Sequence, residues 1–280
     1  MEEMQCCPIT GQDLKRLQRI ELEMLVEFDR ICRKHHISYS LDGGTLLGAV
    51  RHKGFIPWDD DIDVIMLRPE YDKFRMACEK DLDISRFFLQ DYKSDPYYRW
   101  GYGKLRRSGT EHVRLGQECL KQRTGVFIDI FVADYVPDCY VARRIHHFLC
   151  FCIRKTLYSP LGAVNASSWF MRTWYALLSH IPRDQAFRIR NWLADVSNRK
   201  KTELISHYTL EYPKRCRYGL PGRCFNEMIE MEFEGRYFLG FKEYDLYLTN
   251  LYGDYMVPPP EDQRRPHLLV SKLELIDVDI

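Results

Sequence analysis

Asp61 and Asp63 stand two residues apart, beside the apolar residues Ile62, Val64, Ile65 and Met66. On a strand, side chains two apart share a face. The two carboxylates would then project together while Ile62, Val64 and Met66 turn toward a core. Asp59 joins the acidic face if the strand begins early. Carboxylates crowded on one side repel one another unless a cation lies between them, and a divalent ion is the economical solution. Mg2+ takes one or two carboxylates and completes its shell with water and phosphate oxygens; Mn2+ is the alternative ion. Just upstream, Gly43-Gly44-Thr45 lets backbone approach a ligand closely and aims turn N–H groups at phosphate oxygens. The chemistry indicated is metal-assisted handling of a phosphate-bearing substrate. The competing reading is a glycine turn followed by a solvated acidic loop.

A second stretch, Gly125-Val126-Phe127-Ile128-Asp129-Ile130-Phe131-Val132, is continuously apolar except for one carboxylate. On a strand, Asp129 shares its face with Phe127 and Phe131. Such a group must be paired, protonated or metal-bound. It is the natural third ligand for the Asp61/Asp63 site, and a salt bridge to a buried arginine is the other option. Lys104 and Arg106 also lie two apart on a strand-like run, placed to contact phosphates or to form a wet edge.

The elements that must position these groups follow from periodicity. Thr10-Gly11-Gln12-Asp13 reads as a capping box, and Leu14, Leu17, Met24, Phe28 and Ile31 continue at helical spacing to about Lys34. Ile37–Leu41 predicts a short strand, Thr45–Val50 a helix whose N-terminus favours an anion, and Pro69–Lys80 another helix. Phe87–Gln90 reads as a strand. Asp138 to about His207 is mostly helical, broken by Pro160-Leu161-Gly162 and Ile181-Pro182. Phe233–Phe238 fits a hairpin arm, and Tyr244–Met256 a helix with a glycine stop.

Length and composition admit one large domain or two modest ones. A net charge of +1 argues against a nucleic-acid binder. The charge is uneven, however. Val141–Lys201 carries eleven Lys and Arg against two acids, a net of +9, which leaves −8 for the remainder. This basic middle is either a solvated helical face or a contact for anionic lipid, a polyanionic glycan or nucleic acid. The acidic start Met1-Glu2-Glu3-Met4 is not a signal peptide, and Phe148–Ile153 is far too short to span a bilayer. Ten cysteines without zinc-ligand spacing read as reduced thiols. A cytoplasmic protein is expected, with peripheral contact at the inner face of the membrane as a role for the basic middle.

The run from Leu41 to Met66, the Gly125–Phe131 strand and Tyr247-Leu-x-x-Leu-Tyr-Gly-Asp-Tyr-Met-x-Pro-Pro-Pro260 together resemble the LicD family. That family includes bacterial phosphocholine transferases and, more distantly, the fukutin-related proteins. The resemblance implies an α+β, nucleotidyltransferase-like mixed sheet flanked by helices. Taken with the helical block read above, which matches no motif of that family, the chain divides into a catalytic core (1–137), a helical subdomain (138–207) and a C-terminal segment returning to the active site (208–280). The resemblance also implies transfer of a substituted phosphate from a CDP-linked donor, such as CDP-choline, to a hydroxyl of a glycan or lipid-linked glycan: lipopolysaccharide, teichoic acid or capsule. Asp61, Asp63 and Asp129 would be the catalytic and metal-binding residues, with Asp129 helping to deprotonate the acceptor. Gly43, Gly44 and Thr45 would cradle phosphate. Arg51, Lys104 and Arg264 would stabilise the CMP leaving group, and His267 would orient a phosphate or ribose. Trp58, Trp100 and Tyr102 are candidates for an aromatic cage around choline. Two other functions compete: a nucleotidyltransferase moving NMP from an NTP, which would release pyrophosphate, and a non-catalytic glycan- or lipid-surface binding module.

Overall fold

The computed structural model describes residues 7–9, 11–207, 219–266 and 269–279. The chain enters through β1 (Cys7–Pro8) and the long α1 (Gly11–Lys34). Leu17, Ile20, Met24, Phe28 and Ile31 recur every three or four residues along α1 and all are buried. Then follow β2 (Ser40–Leu41), α2 (Gly43–His52), β3 (Asp63–Leu67), α3 (Arg68–Asp81), β4 (Phe87–Gln90), β5 (Gly103–Arg107), β6 (Glu111–Arg114) and β7 (Phe127–Tyr135). Three helices come next: α4 (Tyr140–Asn165), α5 (Trp169–Leu178) and α6 (Arg183–Asn198). The chain ends with β8 (Leu204–Ser206), β9 (Leu220–Pro221), the hairpin β10 (Met228–Phe233) and β11 (Arg236–Phe241), α7 (Tyr244–Tyr252) and β12 (Leu269–Glu274).

The main sheet has the order β2-β3-β7-β5-β4, with β8 continuing from β7 and β9 pairing with β8. Among the described residues, only β3 and β7 run parallel in this sheet; the other pairs are antiparallel. The α+β, mixed-sheet expectation therefore holds. β7 is the spine: eight of its nine residues are buried, as suits a strand covered on both faces. A smaller sheet, β1-β12-β6, brings the end of the chain back alongside β6.

Three local expectations differ from the structure. The strand at Ile37–Leu41 contracts to Ser40–Leu41, because the αL turn at His36 and the bond from Ile37 N–H to Cys32 O occupy its start. β3 begins at Asp63, so Asp59, Asp60 and Asp61 lie in the loop before it. Pro160 does not break its helix: α4 passes through it and stops at Ala166. A proline at this position deprives the carbonyl of residue 156 of its helical donor. The Ser159 hydroxyl supplies a replacement, donating to Thr156 O at 2.7 Å. The proposed N-cap Thr10 lies outside the described residues.

The Arg-rich helical block is fastened to the sheet largely through backbone carbonyls. Arg183 donates to Asp95 O and Tyr98 O, Arg190 to Gly101 O, and Arg99 returns the contact to Leu157 O. Asp134 at the end of β7 takes Arg68 and the Asn198 amide together. In the core, Phe28 meets Tyr39 and Phe74, with ring centroids 4.8 Å away in each case. It is fully buried. Phe28→Ala is expected to cost about 3–5 kcal/mol of stability, read as a lower urea midpoint at unchanged slope.

Candidate functional site

The site lies at the start of the parallel pair β3/β7. Asp63 and Asp129 face each other in register, and Lys104 on β5 is the register partner of Asp129 on the far side. Register places all three side chains on one face of the sheet. The loop carrying Asp59, Asp60 and Asp61 folds over that face, and these three residues offer oxygens within 4.8 Å of one another. Gln18 of α1 pins the loop by donating to Asp59 O at 2.9 Å. Glu21, one turn further along α1, is buried beneath it.

Two glycines make room for this packing. Gly43 and Gly44 form the first turn of α2, and Asp42 caps the helix by accepting from Gly43 N–H. Gly43 has φ +49°, in the left-handed region, and a Cβ there would sit 3.6 Å from Asp63 Oδ2. A Cβ on Gly44 would come within 2.8 Å of Asp59 Oδ2. Thr45 is buried and its hydroxyl accepts from Asp63 N–H at 2.9 Å, locking α2 to β3.

The electrostatics are those of a site short of positive charge. Burial raises the Asp63 carboxyl well above the usual carboxylate range, and Asp61, Asp129, Asp42 and Asp59 raise it further. Asp59 is pushed up to about 8 by burial and then by Asp61 and Asp60. Glu21 is raised by burial and by Asp61, Asp60, Asp59 and Asp129. Asp63 Oδ1 is sealed from solvent and has no hydrogen-bond partner among the described residues. A buried carboxylate oxygen is rarely left without a partner. Among carboxylates this close, a divalent cation would satisfy it, and an all-oxygen donor set suits Mg2+ or Mn2+.

Asp129 is not left waiting for such an ion. Lys104 Nζ binds its Oδ1, and Arg114 of β6 stands 4.0 Å from Oδ2. The structure thus brings Asp129 beside Asp63 but pairs it with a lysine. Burial pushes Lys104 down to about 7 against the pull of Asp129. Burial also works against the Arg114 cation, yet Asp129, Tyr102, Asp61 and Asp63 together hold it above its ordinary value. Arg106 lines the same cavity as Lys104. It is buried and donates to Gln90 and to Gly125 O.

Arg51 and Arg264 form a second basic group, beside Trp58. Arg51 donates to Tyr255 O at 2.8 Å, and Arg264 lies over the Trp58 ring, 5.6 Å from its centroid. Burial lowers the Arg51 pKa, and the nearby Arg264 lowers it further. Trp100 and Tyr102 line a different place: a cavity of about 640 Å³ that also holds Lys104, Arg114, Arg154 and Lys155. Trp58 does not join them, so the three cage candidates are divided between two places. His267 falls outside the described residues.

Several site residues escaped the sequence reading. Glu21 carried a signal, since it is an acid on the buried stripe of α1 between Ile20 and Met24. Arg114 carried none; only the pairing of β6 with β12 turns it inward. Helix α7 contributes two tyrosines. Tyr247 donates its hydroxyl to Asp42, and Tyr252 sits beside Gly43 and Asp63, its pKa raised by burial, then Asp42 and Asp63.

Comparison with known proteins gives the family. Residues 36–171 match the family model described as LicD/FKTN/FKRP, nucleotidyltransferase domain. The chain is similar to the lipopolysaccharide cholinephosphotransferase LicD of Haemophilus influenzae, 31% identical over 283 residues that cover 91% of this chain and 95% of that protein. It is also 38% identical over 119 residues to an uncharacterised protein of Rickettsia typhi, covering 42% of this chain and 30% of that one.

The carboxylate cluster makes the metal response pH-dependent. In the folded protein without metal, Asp59 keeps its proton up to about pH 8, against about 4 when unfolded. Its contribution to stability is therefore lost as pH rises between those values. A divalent ion must displace that proton, so its stabilising effect grows over the same range. Buried His112 and His207, each pushed down to about 3, have the opposite sign. The informative quantity is thus the melting temperature with metal minus that without. Millimolar Mg2+ or Mn2+ should raise it by several degrees more at pH 8 than at pH 6. Asp63→Asn should remove the response, and no response in the parent protein would refute the metal assignment.

Proposed function

The chain belongs to the LicD family, and from that premise we propose that it transfers phosphocholine from CDP-choline to a hydroxyl of a cell-surface glycan, releasing CMP. Lipopolysaccharide is the favoured acceptor, because that is what the Haemophilus relative's name specifies. Teichoic acid or capsule would present the same chemistry. The observation that carries the reading is Asp63 Oδ1, a buried carboxylate oxygen without a partner among the described residues, amid acids raised by burial and by mutual repulsion.

Asp61 and Asp63, with Asp59 beside them, would hold Mg2+ or Mn2+. When bound, the ion neutralises charge on the donor pyrophosphate. The chain's own residues do the rest. Gly43 and Gly44 give the donor phosphates access to backbone at the start of α2. Arg51 and Arg264, two guanidiniums crowded against their mutual repulsion, suit the anionic CMP leaving group. The acceptor hydroxyl oxygen attacks phosphorus in line, the bond from phosphorus to the CMP oxygen breaks, and the hydroxyl proton passes to Asp129. Lys104 holds Asp129 in place and, with a pKa of about 7, can relay that proton. The acceptor would enter through the cavity walled by Trp100, Tyr102, Arg114 and Lys272. Trp100 and Tyr102 also remain the pair available for the quaternary ammonium. The described free thiols, among them Cys32, Cys78 and Cys150, suit a reducing, cytoplasmic setting.

With Mg2+, CDP-choline and a lipopolysaccharide acceptor, the expected product is CMP. Asp61→Ala and Asp63→Ala should each lower its release by roughly 10³-fold or more. Pyrophosphate from an NTP, with no CMP from any CDP-linked donor, would favour the nucleotidyltransferase reading. Near-normal turnover in both variants would end the assignment of the carboxylates.

A further inference from the structure

We propose that helices α4, α5 and α6 form an interfacial docking surface for an anionic lipid membrane, on which the protein rests without crossing it. Among the described residues, no helix is long and apolar enough to span a bilayer. Yet this block leaves large apolar side chains in water. Trp169 is 78% exposed, Phe170 and Leu177 62%, and Phe148 61%. Every residue of α5 is exposed except Tyr175 and Leu178. Its one charged side chain is Arg172.

The exposure is patterned. On α4 the residues Val141, Ile145, Phe148, Leu149 and Cys152 are exposed at helical spacing. The other stripe, Cys150, Ile153 and Leu157, packs on Ala186, Phe187 and Leu193 of α6. So α4 is apolar on two sides and has one of them covered. On α6, Ile189, Trp192 and Val196 repeat the pattern on the side away from that small core. Large contiguous exposed apolar surface marks a site of protein or membrane contact.

Charge selects the membrane over a second protein. The eleven basic residues between 141 and 201 fall into three groups. Arg143, Arg183 and Arg190 donate to backbone carbonyls and serve the fold. Arg154 and Lys155 line the cavity beside the candidate active site. The remaining six, Arg144, Arg172, Arg188, Arg199, Lys200 and Lys201, are all exposed. Exposed Trp and Phe interleaved with Arg and Lys, with few acids, is the composition of a helix that lies in a headgroup layer. Each such basic residue gains energy near an anionic leaflet.

The test needs neither donor nor acceptor, so it stands apart from the transfer chemistry. Full-length protein is sedimented with vesicles of phosphatidylcholine containing about 30 mol% phosphatidylglycerol at low salt. Binding is expected, together with a blue shift of tryptophan emission, and weak binding to phosphatidylcholine alone. Trp169→Ser with Trp174→Ser should lower the bound fraction roughly tenfold. Arg144→Gln with Arg188→Gln should lower it to a smaller degree. Ile84→Ser, at an exposed apolar residue outside the block, should leave it unchanged. Unchanged circular dichroism and melting show that the variants fold. Absence of binding to the anionic vesicles would overturn the proposal. So would a concentration-dependent dimer that the tryptophan substitutions dissolve while vesicle binding persists, because the face would then belong to a second copy.

Discussion

Like charges held at close range in a buried place constrain the rest of this molecule. Asp63 and Asp129 face each other across the parallel pair of the main sheet, β3 and β7, and Asp59, Asp60 and Asp61 hang over them. Such repulsion persists only where other contacts impose it. Two neighbours offset part of the charge: Lys104 on one oxygen of Asp129 and Arg114 near the other. Breaking a buried pair of this kind leaves an uncompensated charge and is strongly destabilising. β5 and β6 are thus tied to the chemistry although they carry no carboxylate of the cluster.

What holds the acids in place is a ring of neutral and backbone contacts. Thr45 takes the amide of Asp63, Gln18 takes the carbonyl of Asp59, Gly44 removes a side chain that would collide with Asp59, and Gly43 adopts the left-handed conformation that starts α2. Tyr247 and Tyr252 close the ring from a helix some two hundred residues downstream. Each of these residues limits how far an aspartate can retreat from its neighbours. The outcome is a set of carboxyl oxygens arranged before any ligand arrives, which reduces the reorganisation left for a bound ion.

Much of this was legible in the sequence, and the boundary has physical causes. Elements set by their own periodicity, such as α1, α3 and the β10–β11 hairpin, appear close to where apolar spacing and turn residues put them. The carboxylates and glycines announced themselves because they break an apolar pattern that would otherwise continue. Partners were invisible where long-range pairing decides them. Nothing local says that Arg114 on β6 turns toward Asp129, or that Lys104 rather than an arginine answers that acid. Helix continuity through Pro160 depends on one serine hydroxyl, a detail below the resolution of spacing rules. The strand alternation that grouped Asp61 with Asp63 also misled in part: the two converge, but through a loop and a strand rather than on one strand.

The basic middle segment shows how a charge count conceals a division of labour. Its net of +9 reads as one patch, yet its side chains do three different things within a few turns of helix. α4 carries two of them at once. Arg154 and Lys155 reach the cavity beside Lys104 and Arg114, while Phe148 and Leu149, less than two turns away, stand in solvent. A helix that touches this cavity and rests against a membrane would fix the distance between them. For a glycan anchored in lipid, that distance would limit which sugars can enter the cavity. Acceptor choice would then follow from how the protein sits on the bilayer as well as from what lines the cavity.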